Sequence, residues 1–284
     1  MNGEGHLRFL DWDLTKSKYA ETDSLPLMAT PGPVLMILAV YLLYVLKIGP
    51  ALMTKREPYK LKAALVLYNG AQVIGSFYLA QKCFKQLIYQ GLLPKTCHIN
   101  IESEREEILF TIWLYFAAKV SELLDTVFFV LRKKDNQITF LHLYHHSIMM
   151  VGTWAYLKHW PSTTLFFIGF LNSTVHVFMY TYYGLAALGP EVAKYIFWKK
   201  YITKFQLVQF VCIIIHYILA VRHSECPPSS GVATFIACNT GFFLLLFLNF
   251  YRQSYSKRNK KLSNGVPCFP QTPTEECVNS QKVK

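Results

Sequence analysis

Apolar residues along this chain are gathered into seven long runs separated by polar segments. The runs cover about residues 33–53, 62–81, 108–131, 139–158, 164–188, 203–221 and 232–251. Each is close to the ~20 residues that an α-helix needs to cross a hydrocarbon core of ~30 Å. The run at 62–81 is the least uniform, because polar residues and glycines interrupt it. The pattern predicts an all-α integral membrane protein with seven transmembrane helices.

The same pattern divides the chain into three parts. Residues 1–30 are polar and are predicted to form an outer (lumenal) N-terminal segment, and residues 31–251 are predicted to form the membrane domain. Residues 252–284 are basic and contain three prolines, which is typical of a disordered cytosolic tail. Composition supports this division, because 52% of residues are hydrophobic and only 16% are charged, as expected when lipid is the solvent.

Basic residues alternate between the two ends of the predicted helices. Residues 47–62, 132–138, 189–204 and 252–284 each carry a net positive charge, whereas the opposite set of loops does not show this excess. Because cytoplasmic loops are rich in Lys and Arg, this places the N-terminus outside and the C-terminus in the cytosol. The formal net charge of +12 therefore needs no nucleic-acid partner. A basic cytosolic face instead suits the lipid bilayer or a phosphate-bearing substrate.

The cysteines show no pairing motif and no metal-site spacing. Cys97 and Cys226 both fall in predicted outer loops, where a disulfide is permitted. Two unpaired thiols are the alternative. Cys268 and Cys277 fall in the predicted cytosolic tail and are expected to be reduced.

Ionisable and amide side chains inside four of the runs are the candidate functional residues, because such groups are costly in lipid. In the third run, Lys119 and Glu122 are spaced to pair on one helix face, and Asp125 lies about 60° beyond Glu122. That pair is either a clamp between helices or part of a site. The fourth run opens with LHLYHH, whose three histidines share one face. The remaining candidates are Asn172, His176, Met179, Tyr180 and Tyr183 in the fifth run and Gln206 and Gln209 in the sixth.

Depth along the helices brings these candidates to the same level. Counting 1.5 Å per residue from the predicted cytosolic ends places most of them in the cytosolic half of the bundle. The outer half of each run is nearly all apolar. The sequence therefore predicts a polar pocket open to the cytosol, with an apolar continuation towards the outer side.

Three kinds of chemistry fit three clustered histidines. A di-iron oxygenase or desaturase uses HxxHH boxes but needs about eight imidazole ligands. Five of the nine histidines lie outside the predicted pocket, so only four remain for such a site. A single zinc ion could still be bound by three of them. A seven-span receptor matches the topology but does not require converging ionisable groups. Acyl transfer uses an imidazole as nucleophile, a second imidazole as base and a carboxylate that fixes the tautomer. Amide and hydroxyl donors would stabilise the developing oxyanion.

Four motifs carry a family resemblance. KVSELLDT at 119–126, LHLYHH at 141–146, NSTVHVFMYTYY at 172–183 and QLVQF at 206–210 resemble the very-long-chain fatty acid elongases, the ELO family, over about residues 30–255. The resemblance implies that six of the seven helices form a barrel around an acyl tunnel. It also implies a 3-oxoacyl-CoA synthase, an acyltransferase that joins a long-chain acyl-CoA to malonyl-CoA, with no cofactor beyond these substrates.

The resemblance further implies a cellular setting. We expect an endoplasmic reticulum membrane protein that works with the reductases and dehydratase of the elongation cycle and is able to form a homo-oligomer. Family members often end in a di-lysine retrieval signal, whereas this sequence ends SQKVK, with Lys282 at one of the two positions.

The acyl-transfer hypothesis assigns a role to each histidine of the predicted pocket. We predict that His145 attacks the acyl thioester, that His146 and His142 orient it or exchange protons, and that His176 assists malonyl decarboxylation. Cys212 is a backup nucleophile, and no metal is expected. The predicted substrate-binding residues are Lys119, Glu122, Asp125, Asn172, Tyr180, Tyr183, Gln206 and Gln209.

Overall fold

A computed structural model describes residues 16–195 and 198–256, and within these residues the chain is helical without any strand. His6, Cys268, Cys277, Lys282 and most of the predicted tail lie outside the described residues. The helices are α1 (Gly32–Leu43), α2 (Gly49–Met53), α3 (Lys62–Gln90), α4 (Glu102–Ser121), α5 (Leu124–Leu131), α6 (Phe140–His159), α7 (Leu165–Ala187), α8 (Pro190–Ala193), α9 (Lys199–His223) and α10 (Ser230–Tyr251). The first described residues of the predicted tail, Arg252–Ser256, continue α10 as a π-helical turn.

The first two predicted runs differ from the helices mainly in length. A π-helical turn at Tyr44–Ile48 joins α1 to α2, so that the chain is helical from Gly32 to Met53. Helix α3 extends nine residues beyond the predicted end at 81, because residues 82–90 remain amphipathic although they are no longer continuously apolar. It packs closely on α7, where a Cβ added at Gly169 would lie 2.7 Å from Cys83 Sγ.

The third run is not one continuous helix, which corrects the single span predicted at 108–131. Helix α4 begins earlier, at Glu102, and ends at Ser121, and α5 begins at Leu124. At the junction the backbone hydrogen bonds span three residues instead of four. Leu123 N donates to Val120 O (3.3 Å), and Asp125 N donates to Glu122 O (3.1 Å). The break places Glu122 at the end of α4 instead of within a regular helix.

Helix α6 begins close to the predicted position. Thr139 is its N-cap, and the side-chain oxygen of Thr139 accepts a hydrogen bond from His142 N at 3.3 Å. This cap fixes the start of the helix, so His142, His145 and His146 lie within its first two turns. Helices α7, α9 and α10 match the predicted runs to within a few residues.

Five of the helical segments are long and apolar enough to cross a membrane: Gly32–Met53, Lys62–Gln90, Leu165–Ala187, Lys199–His223 and Ser230–Ser254. The chain is therefore a multi-pass helical membrane protein. Helices α4 and α6 fall outside this set, and they are the helices that carry Lys119, Lys158 and the histidine box. Ionisable groups lower the mean hydropathy of a helix even when they face a protein interior. The count of seven spans and the six-helix barrel stay predictions.

The predicted outer end is held by the N-terminal segment and a disulfide. Lys158, at the end of α6, is fully buried and donates to Met28 O (2.7 Å), Ala29 O (3.0 Å) and Asp23 Oδ1 (2.8 Å). Cys97 and Cys226 form a disulfide that joins the α3–α4 connection to the α9–α10 connection. Lys158 thereby holds residues 23–29 against the end of α6, and the disulfide ties two connections together.

Candidate active site

The candidate site lies where the α4–α5 junction meets the first turns of α6 and the middle of α7. The helix break presents Glu122 to α7, and the N-cap of α6 sets the height of the three histidines. Lys119, Glu122, His146, Asn172 and His176 are all less than 9% exposed. Polar side chains from three helices are therefore buried together, and such groups are stable only when they satisfy one another.

A closed network joins Lys119 and Glu122 on α4 to Asn172 and His176 on α7. Lys119 Nζ donates to Glu122 Oε1 and to Asn172 Oδ1, each at 2.7 Å. Tyr115 OH donates to Asn172 Oδ1 at 3.1 Å, and the Lys119 ammonium lies 4.9 Å from the centre of the Tyr115 ring. His176 Nδ1 lies 3.1 Å from Glu122 Oε1. Both charges and the amide therefore have partners inside the protein.

This network fixes the proton and the orientation of His176. A carboxylate can only accept a hydrogen bond, so His176 Nδ1 carries the proton that faces Glu122. Asn172 Oδ1 accepts from two donors, which turns Asn172 Nδ2 towards His176 Nε2 at 3.4 Å. The second ring nitrogen of His176 is then unprotonated and accepts a hydrogen bond from Asn172 Nδ2. The ion pair predicted from the spacing of Lys119 and Glu122 is present, and it is also the support of a histidine.

Asp125 takes part in a separate contact. Tyr180 OH donates to Asp125 Oδ2 at 2.8 Å, and the Tyr180 ring lies 5.6 Å from the His176 ring. The ring of Tyr68 on α3 lies 6.2 Å from the Tyr180 ring. Of the two carboxylates near the histidines, Glu122 is bonded to His176 and Asp125 to Tyr180. Tyr183 is 43% exposed, with its ring 6.4 Å from that of Tyr180.

The three histidines of the box have different surroundings. His142 Nε2 lies 2.8 Å from Thr126 Oγ1 on α5. The His146 ring lies 4.3 Å from the His142 ring and 5.3 Å from the His145 ring. His145 packs edge-on against Phe243 of α10, with ring centres 5.2 Å apart. Helix α10 therefore contacts the box through Phe243.

The box and the α7 histidine belong to one electrostatic cluster. His145 and His146 lie near the Glu122–Lys119 ion pair, and His176 contacts Glu122 directly at 3.1 Å. The four histidines predicted to act together are therefore near one another. Their catalytic roles stay predictions.

The remaining predicted site residues are two glutamines on α9 and Met179 on α7. Gln206 Nε2 is 4.0 Å from Met179 Sδ, which links α9 to α7, and Gln209 is buried at 5% exposure. No hydrogen bond among the described residues joins either glutamine to a histidine. Cys212 is partly buried on the same helix. Contact of these residues with substrate stays a prediction.

Metal coordination was one alternative for the histidine box. Within residues 16–195 and 198–256, no three His, Cys, Asp or Glu side chains are arranged to hold a metal ion. The described contacts engage His142 with a hydroxyl and His176 with a carboxylate.

Three tyrosines in or near the site were not among the site residues predicted from the sequence. Tyr115 is one helical turn before Lys119, so the i, i+4 spacing carried a usable signal. Tyr68 and Tyr41 lie within apolar runs and carried none, because aromatic residues in such runs usually serve packing alone.

Fold and site together define a class: a multi-pass helical membrane protein that keeps a buried imidazole–carboxylate cluster. The model of the ELO family, described as the GNS1/SUR4 family, matches residues 26–263, and the chain belongs to this family.

Relatives of similar length support the assignment. Very long chain fatty acid elongase 7 of Drosophila melanogaster is 39% identical over 242 residues, covering 84% of this chain and 74% of the relative. Very long chain fatty acid elongase 4 of Mus musculus is 35% identical over 278 residues, covering 95% and 88%. Very long chain fatty acid elongase 1 of Mus musculus is 35% identical over 257 residues, covering 89% and 92%. Family membership favours acyl transfer over the oxygenase and receptor alternatives.

Proposed function

We propose that this protein catalyses the condensing step of very long chain fatty acid elongation. A long-chain acyl-CoA and malonyl-CoA are joined to give 3-oxoacyl-CoA, CO2 and CoA. Membership in the ELO family and the names of its relatives support the reaction class. The observation that carries the mechanism is the Glu122 carboxylate, which binds Lys119 and His176 next to the histidine box.

In the first half-reaction, we assign the nucleophile to His145. Its unprotonated ring nitrogen attacks the thioester carbonyl carbon, the C–S bond breaks, and the CoA thiolate leaves with the proton given up by the imidazole. The product is an acyl-imidazole on His145. His146 contacts both other box histidines. Together with His142, it orients His145 or passes on this proton.

In the second half-reaction, we assign His176 to the malonyl group. Loss of CO2 leaves an enolate on the remaining two-carbon thioester, and its carbon attacks the acyl-imidazole carbonyl to form the new C–C bond. His145 leaves as the imidazolate and takes up a proton that reaches it from solvent through His146 and His142, which restores the neutral imidazole. Asn172 Nδ2 has two protons, and we assign one to the enolate oxygen; His176 Nε2 accepts the other and so holds the amide in place, while Glu122 and Lys119 hold His176. Lys119 and Glu122 thus act through His176, because their polar atoms are already paired.

The surroundings extend the proposal. A cytosolic, basic entrance receives the CoA phosphates, and the apolar outer part of the bundle receives the acyl chain. We further propose an endoplasmic reticulum membrane location with the N-terminus lumenal, and cooperation with the reductases and dehydratase that act on 3-oxoacyl-CoA. The charge alternation along the loops supports the orientation.

The experiment is an elongation assay on membranes that contain this protein, with labelled malonyl-CoA and a panel of acyl-CoAs. Wild-type protein should yield products two carbons longer, and His145→Ala should abolish them. Incubation with labelled acyl-CoA alone should leave an acyl group on the protein that maps to His145 by peptide mass spectrometry.

Cys212→Ala is the matched control, since Cys212 is the other candidate nucleophile. It should retain most of the activity and the adduct. Loss of both in Cys212→Ala, with activity kept in His145→Ala, would overturn the histidine mechanism. Absence of any two-carbon extension by the wild type across the panel would overturn the reaction.

A further inference from the structure

The first helix carries a buried hydroxyl that points to the histidine box. Tyr41 on α1 is 6% exposed, and its hydroxyl oxygen lies 2.8 Å from Thr126 Oγ1. Thr126 on α5 is fully buried, and the same Oγ1 lies 2.8 Å from His142 Nε2. Three hydrogen-bonding groups from α1, α5 and α6 therefore form an unbroken chain that ends on an imidazole.

The other contacts of His142 leave its ring little freedom. The Phe129 ring lies 5.2 Å away on one side and the His146 ring 4.3 Å away on another. The backbone of His142 is fixed by the N-cap Thr139. Thr126 is thus the group that sets which ring nitrogen holds the proton, because packing alone does not distinguish the two tautomers.

The direction of the chain follows from donor strength. Thr126 has one hydroxyl proton, so it donates to one neighbour and accepts from the other. A phenol is a stronger donor and a weaker acceptor than an aliphatic hydroxyl. Tyr41 therefore donates to Thr126, and Thr126 donates to His142 Nε2. His142 is then left with its proton on Nδ1.

We propose that Tyr41 and Thr126 are positioning residues that hold His142 as the Nδ1–H tautomer beside His146. Helix α1 thereby contributes to catalysis although none of its residues touches the reacting groups. The proposal rests on the condensing function proposed above, in which His142 assists His145. It predicts a loss of turnover without a loss of substrate binding.

The kinetic test compares single-atom changes. Tyr41→Phe and Thr126→Val should each lower kcat about five- to tenfold, the size expected for one lost hydrogen bond, with KM for both CoA substrates unchanged. Thr126→Ser should restore the wild-type rate to within about twofold, because it keeps the hydroxyl. Tyr41→Phe combined with Thr126→Val should be no slower than Thr126→Val alone, since both act through one chain.

Matched controls come from buried residues of the same types. Thr111 is fully buried on α4 and donates only to its own helix at Glu107 O, and Tyr156 donates to Ser162 O at the outer end. Thr111→Val and Tyr156→Phe should leave kcat near wild type. Additive losses in the double variant, an unchanged rate in Tyr41→Phe, or no rescue by Thr126→Ser would overturn the proposal.

A second measurement does not need activity. In protein labelled with ¹⁵N-histidine, His142 and His176 should both show Nε2 without a proton, and the signal that disappears in His142→Gln identifies His142. Thr126→Val and Tyr41→Phe should both shift this signal, whereas the two controls should not. A protonated Nε2 on His142, or no shift, would overturn the proposal even in an inactive preparation. A wild type that fails to condense but shows these shifts would contradict only the proposed function.

Discussion

Two lysines are buried within residues 16–195 and 198–256, one in each half of the bundle, and their partners differ. Lys119 is 2% exposed and donates to Glu122 and Asn172, whose side chains are themselves buried. Lys158 is fully buried but donates to two backbone carbonyls and to Asp23, whose side chain is 43% exposed. Lys119 therefore needs a carboxylate inside the protein, whereas Lys158 finds its counter-ion at the surface.

The difference teaches that a buried charge does not by itself mark a functional site. Lys158 uses its three protons to hold residues 23–29 against α6, which is a structural task. Lys119 neutralises a carboxylate that in turn orients His176. What separates the two is whether the counter-ion has a second partner that can do chemistry.

The largest expected effect comes from breaking the Lys119 pair. Glu122→Gln leaves the Lys119 ammonium buried without a counter-charge and replaces the charged acceptor of His176 Nδ1–H by a neutral amide oxygen, which no longer stabilises a protonated imidazole. We expect a loss of about 3–5 kcal/mol in the free energy of unfolding and a loss of activity of about 100-fold or more. Thermal unfolding in detergent and the elongation assay measure the two effects.

Two controls separate stability from catalysis in that experiment. Lys119→Met combined with Glu122→Gln removes both charges, so most of the stability should return while activity stays low. Glu107→Gln on the same helix removes a surface carboxylate paired with Lys82 and should change neither. Recovery of activity in the double variant would show that His176 does not need the carboxylate.

A smaller effect is expected at the outer end. Lys158→Met leaves Met28 O and Ala29 O without their donor, but Asp23 remains solvated. We expect a loss of about 2–3 kcal/mol in stability, with the specific activity of folded protein within about threefold of wild type. The comparison fails if Lys158→Met lowers kcat as strongly as Glu122→Gln does at a temperature where both are folded.

The smallest effect is expected for Asp23→Asn, about 0.5 kcal/mol, because the carboxylate is partly exposed. Burial raises the pKa of Asp23, but hydrogen bonds from Lys158 and Ser17 and the charge of Lys158 outweigh it, so the pKa lies below its ordinary value. A lowered carboxyl pKa stabilises the folded state above about pH 4, and this contribution is lost as the pH falls further. The difference in melting temperature between wild type and Asp23→Asn should therefore shrink below about pH 4. A constant difference across that range would contradict the assignment.

Helix positions were largely predictable, because long apolar runs in lipid have few alternatives to helices. The break at Glu122–Leu123 was not, since KVSELLDT contains neither proline nor glycine to signal it. No role was predicted for Lys158, because it stands alone at the end of an apolar run. Its partners are more than 120 residues away in the chain, and no local pattern indicates them.

By itself, the sequence determined the helical membrane architecture, the pairing of Lys119 with Glu122 and the shared face of the histidine box, because helical periodicity fixes contacts between residues three and four apart. Only the tertiary structure decided which carboxylate supports which partner and that Tyr41 reaches His142 through Thr126. Those contacts join different helices, and their geometry depends on a helix break and on packing between segments that the chain pattern leaves free.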